Sequence, residues 1–297
     1  MVADLEMTII LNKMTKEVET LVKQKIAIQG YEGSFHQIAA EGYFRESIEI
    51  VACQSFSELA QKAGQSEDTD GAVMAIENSI AGSILANYQL LQDADLHIKG
   101  EVYLQISQHL MALPGQAVDQ ITEVRSHPMA IYQCRKYLKS MPQAKVIEMA
   151  DTALSAKEVR EGALQGVAAI ASAKAAELYG LEIIAPNIET VHNNYTRFLI
   201  LGREANNISA SANKASLYFG VNHEPGSLAK VLTALAKANV NVTKIQSFPV
   251  IKKEWEYYFH LDVEFESLEQ YYLVIRAINK HSDKLHVLGV YQKGKTL

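Results

Sequence analysis

Short strand-like and helix-like segments alternate over the first two thirds of this chain, and that alternation limits its fold more than any other feature. The first unit runs from a strand-like stretch at residues 25–29 through a glycine loop into a helix-like stretch near residue 37. Similar units follow as far as a strand-like stretch that ends at Gly202. Alternating strands and helices pack as mostly parallel sheets with helices on both faces. The sequence therefore predicts an α/β fold for residues 25–205.

One strand-like stretch, residues 96–113, is long enough to cross from one subdomain to another. Its apolar positions include Ile98, Val102, Leu104, Ile106 and Leu110. Beyond it, His127, Thr152 and Ser172 stand at strand-to-helix turns. We therefore expect two α/β lobes with a cleft between them.

The composition is that of an ordinary globular protein, and the length indicates about two domains. Apolar residues make up 48% of the 297 residues and charged residues 21%. The net charge of -6 and the pI near 5.9 provide no basic surface, so nucleic acid is not expected as a partner. A small anionic substrate would need local cationic or N–H groups to hold it against that charge.

Signals for targeting, membrane insertion and metal binding are not evident. No apolar run reaches about 18 residues, and Asp4 and Glu6 stand where a signal peptide carries positive charge. Cys53 and Cys134 have no CxxC spacing, and the nine His residues have no paired ligand spacing. We expect a cytoplasmic protein with two reduced thiols, no metal and no membrane partner. Residues 1–24 form an N-terminal extension whose apolar spacing fits a short amphipathic arm.

The pattern changes after a polar linker at residues 203–214. Residues 213–297 follow the order strand, helix, strand, strand, helix, strand, which is the ferredoxin-like βαββαβ arrangement. A module of this size can fold alone, and its sheet edges can pair with a second subunit. Because the polar residues at the ends of the predicted strands all precede the linker, we expect residues 25–205 to form a functional unit on their own.

Polar residues cluster where predicted strands end and helices begin, the edge at which open α/β sheets bind ligands. The first pair lies in a glycine loop whose N–H groups can hold an anion. The second pair leaves a buried strand, although either of its members can instead cap a helix predicted over residues 80–91. The candidates are Gly33 and Ser34, then Asn78 and Ser79, then His127 and Thr152.

A further polar cluster opens the strand-like stretch at residues 193–202. It places a hydroxyl and a guanidinium, Thr196 and Arg197, directly before an apolar run. A buried strand does not need such a start, and clusters of this kind lie where a sheet meets a cleft. A solvated loop with an ordinary surface arginine is the alternative.

A series of short motifs occurs in one order along the chain. They are GYEGSFHQIAA, AIENSIAGS, SHPMAIYQC, DTALSA, AAIAS, YGL and NNYTRF, followed in the second module by HEPGSL and NVTKIQS. Each motif alone is weak, but the ordered series is specific. Over about residues 25–297 the chain resembles the prephenate dehydratase family with a C-terminal ACT domain.

The resemblance implies a two-lobed catalytic domain like a periplasmic binding protein, joined to a ferredoxin-like ACT domain. It implies loss of water and carbon dioxide from prephenate to give phenylpyruvate, a carbon–oxygen lyase reaction of L-phenylalanine biosynthesis that needs no cofactor. Thr196 would donate to the departing hydroxyl and Arg197 would bind a carboxylate, with Phe198 completing their motif. The residues that would complete the substrate pocket are Asn78, Ser79, His127, Thr152, Gly33 and Ser34.

The resemblance also implies feedback by L-phenylalanine and a homo-oligomer, a dimer or a tetramer, formed through both domains. The effector would bind where a turn of one subunit meets a strand of another. The turn residues are Glu224, Pro225, Gly226, Ser227 and Leu228, and the strand residues are Gln246, Ser247 and Phe248.

Two positions depart from the family pattern. Met129 stands where glutamine is common, and Gln133, one helical turn later, can supply the missing amide. Residues 246–249 read Gln-Ser-Phe-Pro where the family has Glu-Ser-Arg-Pro, which removes two charges. We expect the second change to weaken effector binding, with some added contact to the effector ring from Phe248.

Two alternatives stay open on the sequence. A two-lobed amino-acid sensor would have the same fold without turnover, although the set Thr196, Arg197 and Phe198 exceeds what ligand capture requires. An arogenate dehydratase would differ only in acting on a substrate whose side chain carries an amino group instead of a keto group.

Overall fold

The computed structural model describes residues 23–45, 48–65, 67–94, 96–205, 207–222, 224–249, 257–282 and 284–297. The amphipathic arm expected within residues 1–24 falls outside these ranges except for its last two positions. No helix in the described ranges is both long and apolar enough to cross a membrane.

Strands and helices alternate through both lobes, as the pattern predicts. The strands are β1 Gln24–Gln29, β2 Ile48–Cys53, β3 Gly71–Asn78, β4 Gly82–Ser83, β5 His97–Gln105, β6 His109–Ala112, β7 Glu123–Ser126, β8 Lys145–Glu148, β9 Val167–Ala171, β10 Glu182–Ala185, β11 Tyr195–Gly202, β12 Lys214–Gly220, β13 Asn241–Pro249, β14 Tyr257–Glu264 and β15 Lys284–Tyr291. The helices are α1 Phe35–Phe44, α2 Phe56–Gly64, α3 Leu85–Asp93, α4 Pro128–Gln133, α5 Arg135–Leu138, α6 Thr152–Glu161, α7 Ala173–Tyr179, α8 Ser227–Lys237 and α9 Leu268–Asn279, with a 3₁₀ turn at Val118–Gln120.

Each lobe is built on its own sheet. The first lobe has the strand order β2-β1-β3-β11-β5, with β4 paired to β3, and the second has the order β10-β6-β9-β7-β8. Strand β5 belongs to the first sheet and β6 to the second, so the stretch at residues 96–113 crosses between the lobes as predicted.

Both sheets are mixed, which corrects the expectation of mostly parallel sheets. Strand β11 runs antiparallel to β3 and β5, and β6 runs antiparallel to β9 and β10. The chain reaches β11 from the second lobe and β6 from the first lobe, so both strands begin at the cleft. The parallel strands of each sheet end at the cleft, and β11 and β6 therefore run in the opposite direction.

Capping side chains set the starts of the helices that face the cleft. Ser34, Asp151 and Ser172 each accept a hydrogen bond from the backbone N–H three residues later, which satisfies a donor that the helix leaves free. At the other end of α7, Gly180 adopts a left-handed conformation with φ 60°. The strand-to-helix turns predicted from the sequence are thus built by local hydrogen bonds.

The helix predicted over residues 80–91 starts later than expected, at Leu85. The side-chain oxygen of Asn78 accepts hydrogen bonds from the N–H groups of Ile80 and Ala81, so the chain turns there instead of entering a helix. Strand β4 then folds back on β3. Neither Asn78 nor Ser79 caps α3, whose N-cap position is Ile84 and has no side-chain cap.

Residues 213–297, the C-terminal domain, form an antiparallel sheet of order β13-β14-β12-β15 with α8 and α9 packed together on it. This is the predicted βαββαβ arrangement. Its own core includes Leu217, Phe219, Val231, Leu261 and Val274, all fully buried.

The C-terminal domain does more than extend from a linker, because it shares a hydrophobic core with the first lobe. Phe248, Leu288 and Tyr291 belong to the same buried cluster as Tyr88 and Leu91 of α3. Beyond β15 the chain continues along β5, where the N–H of Tyr103 donates to the Lys295 carbonyl and the N–H of Leu297 donates to the Tyr103 carbonyl.

Glycine makes this close approach possible. A Cβ atom at Gly289 or Gly294 would lie 2.2 Å from the carbonyl oxygen of Ile98 or Glu101 on β5. The backbone of the C-terminal domain therefore rests directly on the edge strand of the first lobe.

Candidate active site

A cavity of about 370 Å³ lies between the two lobes and is lined by residues from both. Six of the residues predicted to form the site line it: Ser34, Asn78, His127, Thr152, Thr196 and Phe198. Gly33, Ser79 and Arg197 do not line it.

Thr196 and Asn78 line this cavity from the first lobe. They lie opposite each other on β11 and β3, and both side chains are nearly buried. The Asn78 Nδ2 donates to the Thr196 Oγ1 at 3.0 Å and to the Asn194 Oδ1 at 2.7 Å. Because the Asn78 Oδ1 is held by two backbone N–H groups, the orientation of the amide is set. The Thr196 oxygen thus accepts from Asn78, and its own proton remains for donation to another group.

His36 and Phe198 supply an aromatic wall. Their rings meet edge to face with centroids 5.0 Å apart, and the His36 Nε2 accepts from the N–H of Ala75 at 3.3 Å. Burial lowers the pKa of His36 to about 3. His36 is therefore neutral near pH 7 and presents an uncharged face to the cavity.

Helix starts from both lobes meet at the cavity. Ser34 caps α1 in the first lobe, while His127 and Asp151 cap α4 and α6 in the second. The N-terminal end of a helix carries partial positive charge and free N–H groups. Among the described residues that line the cavity there is no Lys or Arg, so positive partial charge reaches it from these helix starts.

The glycine loop does not act as the expected anion cradle. The N–H of Gly33 donates to the Gln37 side chain at 2.6 Å, and the N–H of Ser34 donates to the Tyr31 carbonyl. A Cβ atom at Gly33 would lie 2.9 Å from the Cα of Ala175 in the other lobe. Gly33 is a point where the lobes touch, and the N–H groups predicted to bind substrate are already occupied.

Ser79 also has a supporting position. It is exposed, and its Oγ accepts from the N–H of Tyr195 at 2.9 Å while its own N–H donates to the Tyr195 carbonyl. These bonds hold the start of β11 against the end of β3. The expectation that Ser79 binds substrate directly is corrected accordingly.

Arg197 points away from the cavity, which corrects the expectation that it binds a substrate carboxylate. Successive side chains of a strand lie on opposite faces, so Thr196 in the cavity places Arg197 on the other side of the sheet. There the guanidinium is buried against two carboxylates, with its Nε 2.6 Å from Glu101 and its Nη1 2.5 Å from Asp262. Burial alone lowers the pKa of Arg197, but Asp262 and Glu101 outweigh it and raise that pKa well above its usual value.

Met129 and Gln133 both line the cavity, as their helical spacing predicts. Gln133 is buried and its Oε1 lies 3.4 Å from the Nε2 of Gln108, which lines the cavity from the crossing between β5 and β6. The Oε1 of Gln108 is buried and has no hydrogen-bond partner among the described residues. This amide pair provides neutral donors and acceptors for a ligand.

The sequence interpretation missed several residues of this site. His36, Asp151 and Asn194 stand within the quoted motifs, one or two positions from residues that were selected, so the motifs were an available signal. Gln108 belongs to no motif and reaches the cavity only because the chain crosses between the lobes there.

Asp151 is the one carboxylate among the described residues that line the cavity. Its Oδ1 accepts from the N–H of Leu154 at 2.8 Å, and a Cβ atom at Gly30 of the first lobe would lie 2.6 Å from its Oδ2. Burial raises the pKa of Asp151, and backbone N–H groups including that of Leu154 offset part of this rise. The carboxylate is thus placed between the lobes at the wall of the cavity.

A second cavity, of about 650 Å³, lies in the C-terminal domain. The five turn residues predicted for the effector line it: Glu224, Pro225, Gly226, Ser227 and Leu228. Tyr257 and Phe259 of β14 contribute aromatic surface. The effector residues predicted on β13 do not line this cavity within one chain.

Those β13 residues differ among themselves. Phe248 is buried in its own chain, with its ring 5.5 Å from that of Tyr88. The expectation that Phe248 contacts the ring of an effector is therefore wrong. Gln246 is half-buried and Ser247 exposed on the outer strand of the sheet.

Comparison with known families agrees with this architecture. Residues 26–206 match the family described as prephenate dehydratase, and residues 215–279 match the ACT domain. The chain belongs to the prephenate dehydratase family. The predicted fold class is confirmed, with a two-lobed domain followed by a ferredoxin-like ACT domain.

Curated relatives carry two activity names. A chloroplastic arogenate dehydratase/prephenate dehydratase 2 of Arabidopsis thaliana is 35% identical over 96% of this chain and 77% of that protein. A bifunctional chorismate mutase/prephenate dehydratase of Aquifex aeolicus is 33% identical over 91% of this chain and 74% of that protein.

Solved structures share the fold. A protein described as GqqA, a novel type of quorum quenching acylase, has a TM-score of 0.82 at 31% identity and covers 91% of this chain and 98% of its own. Prephenate dehydratase from Arthrobacter aurescens in complex with L-Phe has a TM-score of 0.80 at 23% identity, covering 91% and 90%. The second likeness supports the fold alone.

Proposed function

We propose that this protein is a prephenate dehydratase that converts prephenate to phenylpyruvate, with Thr196 as the hydrogen-bond donor to the departing hydroxyl. The observation that carries the proposal is the Asn78–Thr196 pair, in which the threonine oxygen accepts from Asn78 and its proton is left for another acceptor. Family membership supplies the reaction, and the cavity supplies groups suited to it.

The chemistry asks little of the protein beyond positioning and hydrogen bonding. The bond from the ring to its carboxylate breaks and releases carbon dioxide, and that electron pair completes the aromatic ring as the ring C–O bond breaks. The oxygen leaves with the electrons of the C–O bond and becomes water after it takes up a proton. A donor placed at that oxygen stabilises the developing negative charge.

The substrate anions are held, in this proposal, by helix starts and neutral donors. Ser34, His127 and Thr152 lie at the starts of α1, α4 and α6, and Gln108 and Gln133 add amides. Helix N–H groups and oriented dipoles can bind carboxylates without a fixed cation. Gly33, Ser79 and Arg197 are left as supporting residues.

Arogenate is the second candidate substrate, favoured by Asp151. Arogenate has an ammonium group where prephenate has a keto oxygen, and a buried carboxylate in the cavity wall is a suitable acceptor for it. Prephenate places no positive charge in the cavity, so Asp151 would have no such partner.

The deciding experiment compares turnover of prephenate and arogenate by the purified full chain, following phenylpyruvate and phenylalanine. Asp151→Asn is an informative variant because asparagine caps a helix about as well as aspartate. A prephenate enzyme keeps its rate in Asp151→Asn, whereas an arogenate enzyme loses about tenfold or more in kcat/KM for arogenate. Binding of L-phenylalanine without turnover of either substrate would instead support a sensor.

The C-terminal domain, in this proposal, binds L-phenylalanine as a feedback effector in the cavity at residues 224–228. Gly226 has φ 85° and lies at the start of α8, where the backbone can approach a ligand carboxylate. A homo-oligomer, dimer or tetramer, would bring Gln246 and Ser247 of a second subunit to this cavity. Calorimetry with L-phenylalanine, with the oligomeric state measured in parallel, tests both statements.

A further inference from the structure

The strand pair that carries the catalytic residues has a second polar face. Thr196 pairs with Asn78 toward the cavity, and the next pair in the ladder is Arg197 with Glu77. Opposite residues of an antiparallel pair share a face, and neighbouring residues alternate between faces. Arg197 and Glu77 are therefore directed toward the C-terminal domain.

The C-terminal domain meets each of these two residues with an opposite charge. Asp262 of β14 contacts Arg197, and the Nζ of Lys244 on β13 lies 2.5 Å from the Glu77 Oε1 and 2.5 Å from the Ser83 Oγ. Glu77 is the neighbour of Asn78 on β3, and Arg197 is the neighbour of Thr196 on β11.

The Arg197 site is deeply buried and fully partnered. Asp262 accepts from Arg197, from Ser216 at 2.5 Å and from His260 at 3.0 Å. The ammonium of Lys214 lies 2.9 Å from Glu101, which also binds Arg197. Two positive side chains thus face two negative ones in a region from which water is largely excluded.

Stability alone is a weak reason for such a network. Well-packed apolar residues often stabilise an interface as much as a buried ion pair does, because burying charges costs desolvation energy. Charged pairs do, however, define one relative position of two surfaces. Here they define how the C-terminal sheet is placed against β3 and β11.

We propose that the C-terminal domain positions the Asn78–Thr196 pair through the two ion pairs Lys244–Glu77 and Asp262–Arg197. These four side chains are positioning residues, since none of them reaches the cavity. Movement of β13 and β14 away from the first lobe releases both strands behind the catalytic pair. A change within the C-terminal domain, such as effector binding, therefore reaches Thr196 through one residue on each strand.

The accessible pair, Lys244–Glu77, provides the main test because its partial exposure makes loss of folding less of a concern. Kinetics are measured for Lys244→Met, Glu77→Gln and the double variant with the substrate that the wild type turns over. We expect kcat to fall about tenfold in each single variant with little change in KM, and the double variant to be no worse than either. The swapped pair Lys244→Glu with Glu77→Lys should recover part of kcat.

The matched control is Lys293→Met, which removes another ion-paired lysine of the same domain whose partner, Glu264, lies in that domain as well. It should leave kcat unchanged. Equal kcat in Lys244→Met, Glu77→Gln and the wild type would overturn the proposal, as would additive losses in the double variant.

A readout that does not depend on turnover separates this proposal from the proposed reaction. In protein labelled with ¹³C at threonine methyl groups, the Thr196 methyl resonance should shift in Lys244→Met and stay in place in Lys293→Met. An unmoved Thr196 resonance in Lys244→Met contradicts the positioning role, whatever the substrate proves to be. A shifted resonance in a protein that turns over neither substrate would reject the reaction and retain the positioning role.

Discussion

The two faces of the β3–β11 strand pair carry opposite kinds of polar group. On the cavity face Asn78 and Thr196 are neutral and hydrogen-bonded to each other, whereas on the opposite face Glu77 and Arg197 are charged and paired with the C-terminal domain. The difference shows a division of work within four adjacent positions. Neutral donors face the cavity, and the guanidinium of Arg197, which was predicted to bind substrate, is paired with the C-terminal domain instead.

The largest expected effect is on the charged face. Asp262→Ala leaves Arg197 buried without its main partner, and breaking a buried pair in this way typically costs about 3–5 kcal/mol of stability. Urea denaturation measures the loss, and the exposed Asp119→Ala serves as the control, with an expected change within about 0.5 kcal/mol. Equal stability of the two variants would mean that the charged face contributes no more than an ordinary surface.

On the cavity face, Thr196→Ala should leave stability almost unchanged and reduce turnover by about a hundredfold or more, because it removes the proposed donor to the departing oxygen. Thr196→Ser retains the hydroxyl and is the matched control, with most of the rate preserved. If Thr196→Ala turns over substrate as fast as Thr196→Ser, the donor is another group.

The neutral state of the cavity wall can be tested through pH. The folded-state pKa of His36 is about 3, below its ordinary value of 6.5, so as pH falls the unfolded chain takes up a proton first. The contribution of neutral His36 to the free energy of unfolding is complete above pH 6.5 and is lost as pH falls toward 3. At pH 5 the loss should be about 2 kcal/mol relative to pH 7.

The effect of His36 is isolated by comparing, between wild type and variants, how much the free energy of unfolding changes from pH 7 to pH 5. His36→Gln should reduce that change by about 2 kcal/mol, whereas His192→Gln, at an exposed histidine, should leave it almost as in the wild type. A fall in stability between these pH values that is as large in His36→Gln as in the wild type would indicate that His36 titrates normally.

The smallest effect on stability is expected in the C-terminal domain. Gly226 and Gly115 both have positive φ and open space around a built Cβ atom, so a valine at either site should cost about 1–2 kcal/mol. Only Gly226→Val places a side chain at the proposed effector cavity. We expect it to abolish binding of L-phenylalanine by calorimetry, with Gly115→Val binding as the wild type does.

Much of the architecture was predictable because it depends on local patterns. The alternation of strands and helices and the strand-to-helix turns at His127, Thr152 and Ser172 predicted the two lobes, and the long stretch at residues 96–113 predicted the crossing. The mixed direction of the sheets was missed, since strand direction depends on which lobe the chain comes from.

The sequence by itself indicated a strand through Thr196 and Arg197, and strand periodicity puts neighbouring residues on opposite faces, although both were predicted to contact one substrate. Only the tertiary structure decided which face meets the cavity and which meets the C-terminal domain. That outcome depends on how the C-terminal sheet packs against β5, β11 and α3, through contacts between residues far apart in the chain. The same packing buries Phe248 beside Tyr88, so that the C-terminal domain shares a hydrophobic core with the first lobe.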